Sequence, residues 1–167
     1  MHLVLRPWQE SDLHDLVQHA NNATVAGFMT DQFPHPYTED AGRQFIALTA
    51  SHAPRRMFAI AVAGRVAGAI GIHPQTDILS KNAEIGYWLG ETYWGQGLAT
   101  EAVKQMIVYG FRNFDILRIY GRVFGNNPAS ARVLEKCGFE KEAHFHQTIF
   151  KNGVLLDELI YGLRRSG

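Results

Sequence analysis

Only one cysteine, Cys137, stands in the 167 residues. No disulfide can form within the chain, and a reducing, cytoplasmic setting is the simplest expectation. An excess of either charge is also missing: 16 basic residues meet 16 acidic ones. Without a net field to steer polyanions, neither nucleic acid nor an anionic membrane is expected as a partner. Long apolar runs are absent too. Met57 to Ala63 is cut by Gly64 and Arg65, far short of the roughly 18 residues a membrane span needs. The N-terminus carries His2 and Arg6 but no apolar run followed by a small-residue cleavage site, so no secretory signal is expected. No repeat, low-complexity tract or Pro/Ser-rich linker divides the chain, and one domain over residues 1–167 is expected. What is present is a 46% hydrophobic, 11% aromatic composition. A chain of this length and composition buries roughly 70% of the surface it would expose unfolded, which excludes bulk disorder.

Periodicity orders the elements. His2 to Arg6 alternates as a strand, and Ser11 to Asn21 carries Leu13, Leu16 and Val17 at helical spacing. Residues 22–37 read as an irregular, unusually apolar loop with Phe28, Met29, Phe33 and Tyr37, which either packs on the core or walls a binding groove. Thr38, Glu39 and Asp40 offer a cap and an acidic first turn for a helix to about Ser51. Strands follow at Met57 to Ala63, Val66 to His73 and Asn82 to Leu89, read as an antiparallel meander with Ala63-Gly64-Arg65 as its first turn. A helix from Gly97 to Phe114, a strand Leu117 to Phe124, and a short helix Pro128 to Lys136 ending at Gly138 come next. Two last strands, Phe139 to Phe150 and Val154 to Leu163, turn at Asn152-Gly153. The order βααβββαβαββ implies an α/β (α+β) fold, a mixed, mostly antiparallel sheet with helices on both faces.

The most informative stretch is Glu84-Ile85-Gly86-Tyr87-Trp88-Leu89-Gly90-Glu91-Thr92-Tyr93-Trp94-Gly95-Gln96-Gly97-Leu98-Ala99-Thr100, a strand, a Gly-rich turn and a helix start. Such a turn offers backbone N–H groups and the positive end of a helix dipole to an anion, phosphate above all. Equally, Gly-x-Gly by itself is a tight turn that needs positive φ. Two phosphate folds fail here. After Gly90-x4-Gly95 the P-loop Lys and Ser/Thr positions are Gln96 and Gly97, so a nucleoside triphosphatase is not expected. The Gly95-Gln96-Gly97 turn follows antiparallel-looking strands, and Asp115 precedes the next strand instead of ending it, so a nicotinamide cofactor is not expected either. Glu84, on the strand entering the turn, is either a solvated acid or a base whose pKa apolar neighbours raise; two-residue alternation puts it on one face with Gly86 and Trp88.

The block from Ala83 to Ala102, together with Asn126-Asn127-Pro128-Ala129-Ser130-Ala131-Arg132-Val133-Leu134-Glu135-Lys136-Cys137-Gly138-Phe139, resembles the GCN5-related N-acetyltransferases (GNAT) and, within them, the ribosomal-protein-alanine acetyltransferase (RimJ/RimL-like) group. The element order matches over essentially the whole chain. The resemblance implies an acetyl-CoA-dependent transfer of an acetyl group to a primary amine, direct and without a metal. It implies that Trp94, Gly95, Gln96, Gly97, Leu98, Ala99 and Thr100 cradle the pyrophosphate of acetyl-CoA. Trp94 replaces the usual Gln or Arg, a change that leaves main-chain binding intact. It further implies that the backbone of Trp88, Leu89 and Gly90 meets pantetheine, with a main-chain N–H near Leu89 for the oxyanion.

Acetyl transfer needs a neutral amine, oxyanion stabilisation and a proton for the departing thiolate. The resemblance assigns the base to Glu84, directly, through a water, or by binding the cationic substrate. It assigns the sulfur end to Asn127 and Ser130, although Asn127 before Pro128 is also a helix cap. The tyrosine acid of many relatives is replaced by Leu134, which leaves Ser130, or else Tyr87, to protonate the thiolate. His35, with Phe33 and Tyr37 in the aromatic loop, is read as lining the acceptor groove. His144 and His146 lie two apart on a strand, but with no third ligand evident they read as a polar face and no metal is assigned. Cys137 reads as a small buried helix-end residue. The acceptor is a protein N-terminus or a small amine, and a homodimer through the terminal strands is implied. The alternative is a catalytically silent acyl-CoA-binding or sensing module on the same fold.

Overall fold

A computed structural model describes residues 2–166. Seven strands hydrogen-bond in the order β1-β2-β3-β4-β5-β7-β6: β1 (Leu3–Arg6), β2 (Met57–Val62), β3 (Arg65–Pro74), β4 (Asn82–Leu89), β5 (Arg118–Phe124), β6 (Glu140–Lys151) and β7 (Val154–Arg164). The helices are α1 (Leu13–Ala20), α2 (Ala23–Ala26), α3 (Glu39–Thr49), α4 (Leu98–Asn113) and α5 (Pro128–Lys136). The mixed, mostly antiparallel sheet is the one the element order implies. Among the described residues, no helix is long and apolar enough to cross a membrane. The chain forms two compact units, one of the residues up to Gly71 with Tyr87–Ala102, the other of Ile72–Gly86 with the residues from Val103 on.

In the first unit, β1 and β3 flank β2 antiparallel, and the β2–β3 turn is Ala63-Gly64, with Arg65 already paired to Val62. Ala61 pairs with Val66 but Ile60 with Gly68, so Ala67 is an extra, bulged residue of β3. Leu16 and Ala20 of α1, Ile46 of α3, Val25, Tyr37, Ala59, Val66, Ala69 and Trp88 form one buried cluster. The heptad-like spacing of Leu13, Leu16 and Val17 is thus the face α1 turns to the core. The stretch read as wholly irregular contains α2, because the Asn22 side chain accepts from the N–H groups of Thr24 (2.8 Å) and Val25 (3.1 Å). One capped turn is too short to produce a periodicity.

Asp15 fastens α1 to β3. Its Oδ2 accepts the buried N–H of Val66 at 3.0 Å, and the Arg65 guanidinium closes on the same carboxylate. The Arg65 hydrogen bond, and after it that of Val66, holds the Asp15 carboxyl below its ordinary range against the opposing effect of burial. Asp15→Ala leaves the Val66 N–H buried without its acceptor and is expected to cost roughly 1–3 kcal/mol. Because the folded-state pKa is depressed, this stabilisation is fully present above the unfolded carboxylate pKa of about 4 and is lost as pH falls through the folded value. Urea denaturation of both proteins at a series of acidic pH values should show the two stabilities converging downward.

In the second unit, β4 and β5 run parallel with Asn82 opposite Arg118 and Glu84 opposite Tyr120. A parallel pair requires a crossover, and α4 belongs to it. β7 pairs antiparallel with β5 and β6, and the β6–β7 hairpin turns at Asn152-Gly153, both at positive φ (50° and 78°), as an Asn-Gly pair predicts. Gly121 of β5 leaves room for Leu134 of α5, which is 1% exposed.

Candidate active site

The strand end and turn come first. Trp88 and Leu89 are both buried while Gly86 is exposed, so the two-residue alternation that placed Glu84, Gly86 and Trp88 on one face does not persist in their burial. Gly90 N–H reaches the carbonyl of the bulged Ala67 (2.8 Å), and a single 3-10 turn, Glu91–Tyr93, follows. The Trp94 indole donates back to the Leu89 carbonyl (2.9 Å), which makes Trp94 a brace for the strand end. Gly95 (φ +74°) and Gly97 (φ +77°) adopt the left-handed conformation, and a side chain at either would meet nothing within 4 Å. Both halves of the Gly-x-Gly argument therefore hold together: the turn needs positive φ, and it leaves its outer surface open. The Glu101 N–H bonds to the Gly97 carbonyl at 3.2 Å, so the N–H groups of Leu98 to Thr100 head α4 ahead of that bond. Such donors, with the helix dipole behind them, suit a phosphate.

Residues far away in sequence brace this turn; Phe28 reads in the sequence only as part of an apolar loop, and His19 and Asn22 were missed. The Asn22 Nδ2 donates to Glu91 Oε2 (2.8 Å), the His19 ring meets Tyr93 edge-on (5.3 Å), and Phe28 meets Trp94 (6.3 Å). A separation of about 70 residues leaves no local signal for any of them. Phe33 touches both Tyr37 (5.2 Å) and Trp88 (5.6 Å), linking the aromatic loop to the strand end. Tyr37 is 5% exposed within the core, its phenol pushed up to about 12 by burial, whereas His35 stands exposed. Of the three loop residues, Tyr37 is thus the buried support.

The second unit carries the titratable residues. Glu84 has a half-buried carboxylate 3.5 Å from Arg122 Nε, and Arg122 Nη1 lies 3.1 Å from Glu158 Oε1. The Arg122 guanidinium is 5.8 Å from the centre of the Tyr120 ring. Burial raises the Glu84 carboxyl above its ordinary range; Arg122 opposes the shift and Glu158 adds to it. A carboxylate whose pKa is raised is a stronger base than an ordinary glutamate, a property suited to proton transfer. Arg122 and Glu158 were not singled out from the sequence, since each is one charge on an ordinary strand.

Asn127 is the N-cap of α5: its side chain accepts the Ser130 N–H at 3.3 Å, ahead of Pro128 in the first turn. The capping reading is therefore correct, and Ser130 sits half-buried one turn on. Leu134 lies in the interior and offers no hydroxyl. Cys137 does close α5, through its N–H to Val133 and Leu134 carbonyls, but it is half-buried where full burial was expected. His144 and His146 do not lack a third group, as the sequence suggested: Asp157 of β7 lies 2.8 Å and 3.5 Å from their ring nitrogens. The hairpin brings together residues 11 and 13 positions apart, which no local spacing reveals.

This topology, with its Gly-rich turn at the head of α4, defines an acyl-CoA-type transferase fold, and residues 2–140 match the family of acetyltransferase (GNAT) domains. The chain belongs to the GNAT acetyltransferase family. Among its relatives, the uncharacterized N-acetyltransferase p20 of Bacillus licheniformis is 29% identical over 167 residues, 96% of this chain and 92% of p20. The uncharacterized N-acetyltransferase YoaA of Bacillus subtilis is 36% identical over 96 residues, 58% of this chain, and that match spans about half of YoaA (54%). Spermidine N(1)-acetyltransferase of Escherichia coli is 29% identical over 152 residues, 89% of this chain and 78% of that one. Among solved structures, RimL, the ribosomal L7/L12 alpha-N-protein acetyltransferase in complex with coenzyme A, superposes with a TM-score of 0.84 at 26% identity, over 97% of this chain and 93% of RimL.

Proposed function

We propose that this chain is an acetyl-CoA-dependent N-acetyltransferase acting as one domain on a primary amine. The observation that carries the reading is the open Gly95–Gly97 turn at the head of α4 in a chain of this family. On this reading the turn from Trp94 to Thr100 cradles the pyrophosphate, with main-chain N–H groups from Gly95 on since that of Trp94 already donates to the Glu91 carbonyl (3.1 Å), and the backbone of Trp88, Leu89 and Gly90 receives pantetheine. The amine arrives as an ammonium ion, and Glu84, directly or through a water, takes its first proton. The free amine then attacks the thioester carbonyl carbon, a main-chain N–H near Leu89 meets the oxyanion, and the tetrahedral adduct collapses by breaking the C–S bond. Asn127 and Ser130 serve the thiolate, Ser130 passing it the proton that the new amide nitrogen gives up. Phe33 and His35 line the acceptor side, with Tyr37 supporting them. No step calls for a metal, and the single cysteine, Cys137, agrees with a reducing, cytoplasmic setting.

The acceptor is a small polyamine or a protein N-terminus, the two kinds that the names of the spermidine and RimL relatives carry. Acetyl-CoA supplied with polyamines, amino acids and peptides of different N-termini, read by mass spectrometry, tests the proposal. A single acetylated product class supports it and names the acceptor. Tight acetyl-CoA binding with no product from any class would support a silent acyl-CoA-binding module instead.

Exposed Phe145, Phe150, Val154 and Leu155 lie on the β6–β7 hairpin, with β6 at the sheet edge. An apolar edge strand invites pairing, and a homodimer through this hairpin is proposed. Sedimentation velocity should report a dimer that Phe150→Lys returns to monomer.

A further inference from the structure

The β6–β7 hairpin contains a departure from regular pairing that builds a second polar site. His144 lies opposite Leu159 and Phe145 opposite Glu158, but the next pair is Ile149 with Leu156. Three residues of β6, 146–148, therefore stand against the single residue Asp157 of β7, and Gln147 takes positive φ (53°) to make room. The bulge turns the backbone N–H of Gln147 onto Asp157 Oδ1 (2.9 Å). The other carboxylate oxygen, Oδ2, is left to two imidazoles, His144 Nε2 at 2.8 Å and His146 Nδ1 at 3.5 Å. The carbonyl of Asp157 is pinned in turn by the Gly125 N–H (2.7 Å). The two rings lie close and tilted, 4.4 Å between centres and 32° between planes.

We propose that His144, His146 and Asp157 form a binding site for one divalent transition-metal ion of the zinc and cobalt type, with the remaining coordination positions open to water. The three candidate ligand atoms lie within 4.8 Å of one another. A tetrahedral ion with bonds of about 2.05 Å spaces its ligands by about 3.3 Å, and the two observed nitrogen–oxygen separations fall on either side of that value. Two imidazoles and one carboxylate favour borderline metals over magnesium or calcium, which ask for oxygen. The site also has an outer shell: the Gln147 N–H fixes one oxygen of Asp157, so the other keeps a defined direction. The side chain of His146 is 80% exposed and that of His144 40%, so an ion enters without any opening of the fold. All three ligands stand on the hairpin, and the site does not depend on the transfer reaction.

The test is a titration of tag-free protein with Co2+, followed by its visible absorption, and with Zn2+, followed by calorimetry. The expected result is one equivalent bound, with the intense bands of a four-coordinate nitrogen and oxygen site. His146→Gln and Asp157→Asn should each weaken affinity by at least the roughly 10-fold that even an outer-shell change costs. His146→Gln changes an exposed side chain, so the fold survives, and Asp157→Asn keeps an acceptor for the Gln147 N–H. His14→Gln, at an exposed histidine on α1, should change nothing. Binding by the His146→Gln protein equal to that of the unaltered chain, or a cobalt spectrum that never leaves the aquo ion, overturns the proposal.

Discussion

Replacing Glu84 by glutamine should lower turnover at neutral pH by about 10²–10⁴-fold, the contribution of a positioned general base, while acetyl-CoA affinity stays nearly unchanged. The expectation rests on the electrostatics of one strand face. Burial lifts the Glu84 carboxyl, Glu158 lifts it further, and the Arg122 guanidinium 3.5 Å away pulls it back. The base is the ionised form, so kcat/KM should rise with pH through the Glu84 pKa, above the ordinary glutamate range, and level off beyond it. Glu84→Gln removes that rise. Arg122→Gln removes the one opposing cation and should move the rise to higher pH without abolishing activity. Stability moves the other way. A carboxyl whose folded pKa is raised binds its proton more tightly folded than unfolded, so once pH exceeds the unfolded value the ionised group disfavours the fold. Glu84→Gln should therefore be as stable as the unaltered chain at pH 7, or more so. A large activity loss without a stability loss marks a residue kept for function. Unchanged turnover in the pH-rate profile would remove Glu84 from the mechanism.

Gly68→Ala should cost roughly 1–3 kcal/mol or somewhat more, the penalty for forcing an atom into a filled space, and should weaken acetyl-CoA binding as well. A Cβ on Gly68 would lie 2.1 Å from the Trp88 carbonyl oxygen and 2.9 Å from the Leu89 Cα. Both obstacles are backbone, so no rotamer change relieves them. The strand end must move, and it is the segment proposed to receive pantetheine. At about 2–4 °C per kcal/mol for a domain of this size, calorimetry should report a fall of several degrees. Gly86→Ala is the control: its Cβ meets nothing within 4 Å, and stability should stay within about 0.5 kcal/mol. Equal stability and equal acetyl-CoA affinity for Gly68→Ala would show that the close approach of β3 and the strand end is not needed.

Much of this protein was legible from order and local chemistry. Period-2 spacing located the strands and helical spacing α1 and α4, because burying one face of a local element imposes its period on the sequence, while capping chemistry located α3 and α5. Asn152-Gly153 and the Gly95-Gln96-Gly97 turn were readable because positive φ selects so few residues. The α2 turn escaped, being one turn held by Asn22 and too short to show a period. Glu84 could be named as a carboxylate on β4 whose pKa burial would raise, yet Arg122 of β5, which opposes that shift, and Glu158 of β7, which adds to it, could not. His144 and His146 were visible as a pair, while Asp157 came to them only through a bulge in the hairpin. What the sequence by itself determined are the properties set within a few residues: element order, turn chemistry and the glycine turn at the head of α4. What only the tertiary structure decided are the properties set by charges and ring faces brought together across strands, because Coulomb interaction, burial and coordination depend on distance in space and leave no period along the chain.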